Sequence, residues 1–360
     1  MMKFGSLMLL LILITIIYLW FSKPNSAQGI ISYTVPPVTG KLITVGDHLY
    51  FASTNDSLKK YSKSNLEEID SLIINNCINL CYSEHLDEII VVAGNEGSVL
   101  KYVDYLNMVI TSEFDFGKSI GDIFAVQERL YITWDNSGLI EGSLYDPEDL
   151  PYNTGVLSEI NINTMESNWE VQVGTLPRNI GYAGQYIIVS SEECRAGYDE
   201  ENYEYMYGCV FTVVDKATHE TRQFVAGMEW HGNFITYANN KAYVSNPHGA
   251  ETIYDPSLKG LTILDMTDWQ IEHIVLEGPA GSEKQWGVTA TYYEEPYLYL
   301  PYYNSIYEGS TYFGIYNTLT GELENIELPG IEQYLVFAMK DGNDIYLTSY
   351  HGWLIKYTMD

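Results

Sequence analysis

A short phrase of β-branched, aliphatic and aromatic residues recurs seven times along the chain. The copies are Leu49-Tyr50-Phe51, Ile89-Ile90-Val91-Val92, Leu130-Tyr131-Ile132, Tyr186-Ile187-Ile188-Val189, Ala242-Tyr243-Val244, Leu298-Tyr299-Leu300 and Ile345-Tyr346-Leu347. They are spaced 40, 41, 56, 56, 56 and 47 residues apart. Self-similarity at this period marks a repeat architecture, in which each unit buries its apolar faces against its neighbours. After each phrase comes a turn and usually a second β-rich run, such as Val99-Leu100-Lys101-Tyr102 or Leu354-Ile355-Lys356-Tyr357. A third run, such as Glu324-Asn325-Ile326-Glu327-Leu328-Pro329, often follows, and another, such as Phe234-Ile235-Thr236-Tyr237, precedes the phrase. The patterning alternates, glycine marks the turns, and no stretch reads as an amphipathic helix.

Four strands per unit and seven units predict an all-β fold, a seven-bladed β-propeller over residues 29–360. The chain ends bear on closure. The last unit stops at Tyr357-Thr358-Met359-Asp360, after its third run, while Ile30-Ile31-Ser32-Tyr33-Thr34-Val35-Pro36-Pro37 reads like the missing fourth. An N-terminal strand that completes the last blade would close the ring and remove the exposed edges that make open sheets adhesive.

The Leu-Tyr phrases and the segment Tyr316-Asn317-Thr318-Leu319-Thr320-Gly321-Glu322-Leu323, with a looser copy at Val214-Asp215-Lys216-Ala217-Thr218-His219-Glu220, resemble the YVTN-type and quinoprotein-like propeller repeats. The resemblance covers residues 30–360. It implies the fold but no single activity, because the group holds enzymes, electron-transfer subunits and binding modules. Trp134-Asp135 lacks the Gly-His partner of a WD40 repeat.

Residues 1–28 form a separate N-terminal unit. Residues 7–21 are apolar except Thr15, and Lys23-Pro24-Asn25 ends the run. That length suits a cleaved signal peptide; extended through Phe4 it reaches the length of a membrane anchor. Either way the propeller is expected in an extracytoplasmic space, touching a membrane only through this segment. Four cysteines suit that setting, with Cys77–Cys81 and Cys194–Cys209 the simplest disulfide pairings. The 18 Lys and Arg against 48 Asp and Glu leave a formal charge of −30. Nucleic acid is therefore excluded as a partner, since phosphate recognition needs clustered cations.

Loops over 135–156, 190–208, 246–259 and 303–310 enlarge one face of four successive blades and point to a binding face. Residues opening the inner strands would line its channel mouth: Arg178, Trp230, His231, Gln285, Trp286 and Tyr334. Arg178 could hold a carboxylate or phosphate in a bidentate grip. His231, His248 and Glu251 are candidate ligands for a transition metal, and the acidic blade-4 loop for Ca²⁺, although no cofactor motif is present. No nucleophile elbow, phosphate loop or zinc-protease motif occurs. These features favour a monomeric scaffold that binds a protein, peptide or glycan. The resemblance also implies an alternative, an enzyme of lactonase or quinoprotein-dehydrogenase type acting at the channel mouth.

Overall fold

A computed structural model describes residues 29–94, 97–136, 153–199, 204–226, 234–246, 260–274, 276, 287–303, 310–349 and 351–359; for 39, 40, 192–199, 204–209, 225, 226, 246 and 303 it describes the backbone alone. The recurring phrases lie on the second strands of seven antiparallel sheets. Blade 1 comprises Val38–Val45, His48–Ser53, Ser57–Ser62 and Glu68–Ile73; blade 2 comprises Asn79–Ser83, Glu88–Ala93, Val99–Asp104 and Val109–Asp115. Blade 3 comprises Ile120–Val126, Arg129–Asp135, Gly155–Asn161 and Ser167–Val173; blade 4 comprises Pro177–Ala183, Tyr186–Asp199, Glu204–Asp215 and Thr221–Ala226. Blade 5 comprises Ile235–Ala238, Lys241–Asn246, Gly260–Asp265 and Ile271–Ile274. In blade 6 the inner strand is split into Gly287–Val288 and Tyr292–Glu294, followed by Tyr297–Tyr303, Ser310–Asn317 and Leu323–Pro329. Blade 7 comprises Leu335–Asp341, Asp344–Ser349 and Trp353–Thr358, and its outer strand is Ile30–Thr34. No α-helix occurs among the described residues.

The inner strands touch in sequence around the ring, and the seventh meets the first. Closure comes from the N-terminal strand, which pairs antiparallel with the last strand of the chain, from Ile30 opposite Tyr357 to Thr34 opposite Trp353. Seven buried clusters hold the ring together, six of them between two neighbouring blades, while the one between blades 7 and 1 also takes in Ala290 of blade 6. The core is thus a set of seven interfaces between sheets.

The repeat's signature residues serve these interfaces. Tyr50, Tyr131, Tyr243, Tyr299 and Tyr346 of the phrases are at most 1% exposed. Two of them cap the next blade: Tyr50 donates to the Tyr105 carbonyl at 3.1 Å and Tyr346 to the Lys63 carbonyl at 3.3 Å. Lys60 and Lys356 repeat the link from third strands, donating to Tyr105 at 3.0 Å and Lys63 at 3.2 Å.

The 316–323 segment and its copies mark a turn after the third strand. Its Asp or Asn accepts the amides two and three residues on, as Asp104 does at 2.9 and 3.0 Å and Asn317 at 2.9 and 3.1 Å. The residue four positions on is left-handed: Leu66, Met108, Met165, His219, Trp269 and Gly321. A non-glycine residue there costs about 1–3 kcal/mol. The side chains offset it by packing back onto the preceding blade. Trp269 stacks on Phe224 at 5.7 Å, His219 lies 4.8 Å from Trp169, and Met165 accepts the Tyr102 hydroxyl at 2.9 Å. Leu66 and Met108 are buried, and full burial of a large apolar side chain is worth about 1.5–3 kcal/mol, so at those two turns the interface offsets the strain.

The Cys77–Cys81 pairing is corrected by the fold. Cys77 packs between blades 1 and 2 and Cys81 between blades 2 and 3, so the two buried thiols serve opposite faces of one sheet. Burial pushes both thiols up to about 12.

Burial also raises the phenols of Tyr50, Tyr61, Tyr131, Tyr299, Tyr302 and Tyr346 far above the ordinary range, and those of Tyr102 and Tyr243 up to about 12. An unfolded chain ionises its phenols near pH 10 while the folded chain keeps these neutral, so their stability is intact below about pH 10 and lost as pH climbs past it. The urea midpoint should begin to fall above about pH 9, where the unfolded Cys77 and Cys81 thiols ionise, and drop steeply between about pH 10 and 11.5 as the phenols follow; a midpoint unchanged at the alkaline end would refute the buried-phenol account.

Candidate functional site

Inner-strand starts and second-to-third connections share one face of the ring. Arg178 sits on that face in a bulge of the blade-4 inner strand, where the register steps from Pro177–Ser191 to Asn179–Ser190, and it is half-buried. Such an extra residue re-aims a side chain out of the ladder. Tyr334 precedes the blade-7 inner strand, and its ring lies 6.4 Å from that of His351 in the second-to-third turn of the same blade. Arg178 and Tyr334 therefore stand at the starts of inner strands on the same face, on blades three steps apart. Trp230, His231, His248, Glu251, Gln285 and Trp286 lie outside the described residues. Among the described residues no group of three or more His, Cys, Asp and Glu side chains is placed to hold a metal.

The blade-3 insertion is pinned at its root. Asp135 accepts the Thr154 hydroxyl at 3.0 Å and the Leu176 amide at 2.7 Å, and the Thr154 and Thr175 hydroxyls are hydrogen-bonded at 2.9 Å. The Trp134 indole, 3% exposed, donates to Ser158 at 2.8 Å. The Trp-Asp pair thus ties the end of the blade-3 second strand to the third strand and to the chain entering blade 4.

The 190–208 segment of blade 4 is a paired ribbon, which corrects the expectation of a loop. Its strands remain in register out to Asp199 opposite Glu204. The inner strand leaves this pair at Ser191 and the outer strand at Cys209, so a two-stranded arm projects beyond the four-stranded sheet. Cys194 and Cys209 are register partners at its root, with their side chains outside the described part. The register places Cys194, Ala196, Tyr198, Tyr205, Tyr207 and Cys209 on one face of the ribbon.

Sequence reasoning missed a polar hub inside the channel wall. Asp122, fully buried on the blade-3 inner strand, accepts Lys41 of blade 1 at 2.6 and 2.7 Å and Asn79 of blade 2 at 2.7 Å. It also accepts the amides of Ile123 and of Ile180, on blade 4, each at 2.8 Å. Four blades thus meet on one carboxylate. Its neighbour has to be glycine, because a methyl on Gly121 would overlap the Pro177 carbonyl. With four donors making five contacts on its two oxygens, Asp122 has no lone pair for a substrate proton and acts as a clamp. On the far side of the ring, Phe234 of blade 5 and Phe337 of blade 7 are in edge contact at 5.3 Å, and Thr236 donates to the Thr291 carbonyl at 2.8 Å. One signal was available: Lys41 is a cation in an inner-strand run, in a chain with few cations.

No protein-family model and no curated protein matches the chain. Among solved structures it is similar to the computationally designed Ika8 protein, with a TM-score of 0.58 at 10% identity over 90% of this chain and 96% of that one. At that identity the likeness shows the fold alone.

Removing one partner of a buried ion pair leaves the other charge uncompensated, at a cost of about 3–5 kcal/mol. Lys41→Met should lower stability by that amount in urea unfolding, and Lys41→Met with Asp122→Leu should recover part of it. A single substitution with no measurable effect would show that the hub does not hold the blades.

Proposed function

We propose that this protein is an extracytoplasmic binding scaffold, a closed propeller that engages a protein, peptide or glycan through its loop-bearing face. The observation that carries the reading is the blade-4 arm. Its two strands remain paired through Asp199 and Glu204, well past the four-stranded sheet, whereas the corresponding strands of the other blades span eight residues or fewer. A preformed ribbon spends little ordering entropy on binding, and its free edges offer backbone groups to an extended partner. Arg178 and Tyr334 stand on the same face of the ring.

The formal charge of −30 favours neutral or cationic partners. Secretion or anchoring by residues 1–28 belongs to the same proposal. So does kinship with the YVTN and quinoprotein-like repeats, supported by the tyrosine phrases and the Asx turns.

The test is to replace residues 192–208 with an Asn-Gly turn and compare both proteins on immobilised glycans and lysine-rich peptides. The arm-less protein should melt within a few degrees of the parent, since the ring is intact, and should lose at least about tenfold in affinity for whatever the parent retains. Equal binding by the two proteins, or no binding by the parent, would count against the reading.

A further inference from the structure

We propose that Cys194 and Cys209 form an interstrand disulfide that fixes the arm to the propeller, and that its reduction releases the arm. The role given to the arm rests on the docking reading above; the bond itself does not. Directly opposed residues of an antiparallel ladder hold their Cα atoms about 4.5–5.5 Å apart, inside the range a disulfide spans. Cys194 and Cys209 are opposed in this way.

Their position says what the bond does. Inner-strand pairing ends at Ser191, outer-strand pairing ends at Cys209, and the ladder between the two long strands is broken between Ser191 and Cys194. At this point the four-stranded sheet gives way to a ribbon of five further pairs, from Arg195 opposite Gly208 to Asp199 opposite Glu204. An isolated two-stranded ribbon is marginally stable in water. A covalent link just past the break would carry the rigidity of the sheet into the arm.

The chemistry balances as thiol–disulfide exchange. The two thiols lose two protons and two electrons to form one S–S bond, and a small-molecule or protein disulfide takes them up to become two thiols. Cys77 and Cys81 stand apart from it, because each is buried in a different blade interface with its thiol pushed up to about 12, far from the reactive thiolate.

The full chain, equilibrated in reduced and oxidised glutathione, is denatured, alkylated with iodoacetamide and weighed by mass spectrometry. Of its four cysteines, two should be alkylated before reduction and all four after it, with a linked peptide joining Cys194 to Cys209. Four alkylated residues before reduction would overturn the bond. Amide exchange over 195–199 and 204–208 should quicken at least about tenfold on mild reduction of the native protein, and likewise in Cys194→Ser, while the blade strands remain protected. Equal exchange in both redox states would overturn the release. Neither readout involves a partner, so loss of the docking reading leaves the bond standing, and loss of the bond leaves the arm-replacement result intact.

Discussion

Seven sheets enclose a channel only if the last blade receives a strand from the far end of the chain. The antiparallel pairing of Ile30–Thr34 with Trp353–Tyr357 meets that requirement. Ile30 enters the cluster between blades 6 and 7, and Val35 enters the one between blades 7 and 1. Each blade buries its apolar faces only against neighbours, so one missing contact exposes two clusters and leaves strand edges open to other chains. The Asp122 hub, the tyrosine caps and the fixed root of the arm all presuppose that the ring is shut.

Within the ring a small vocabulary is reused. A tyrosine on the second strand fills an interface, an Asx turn ends most third strands, and its left-handed residue reaches back to the preceding blade. Local strain and interface burial are of similar size, so neither would persist without the other. The turn that resembles a family motif is therefore explained by packing and carries no ligand chemistry of its own.

What was legible in the sequence is what local rules govern. Strand phrases, turn residues and the unpaired N-terminal run are each written in a few consecutive residues, so blade number and closure could be read. The Asp122 hub was hidden because Lys41, Asn79 and Asp122 lie about forty residues apart in sequence, and among 48 acidic residues nothing local singles out that aspartate. In sequence the blade-4 arm reads as a loop because Gly197 and a dense run of charges weaken the alternation that marks a strand, and pairing between the two halves overrides that weakness. Cys77 and Cys81 are close in sequence, but the sheet between them sends them to different interfaces.

A closed, strongly acidic propeller offers a stable platform, and blade 4 extends a ribbon from it beside Arg178. The account stands or falls on closure. Native-state hydrogen exchange of the Ile30–Thr34 amides, followed across sub-denaturing urea, tests it most directly. If the strand closes the ring, these amides should exchange only through global unfolding, with the same opening free energy and urea dependence as the Arg129–Asp135 strand of blade 3. Exchange at lower free energy and without urea dependence would mean that the strand frays independently of the ring, and would contradict the account.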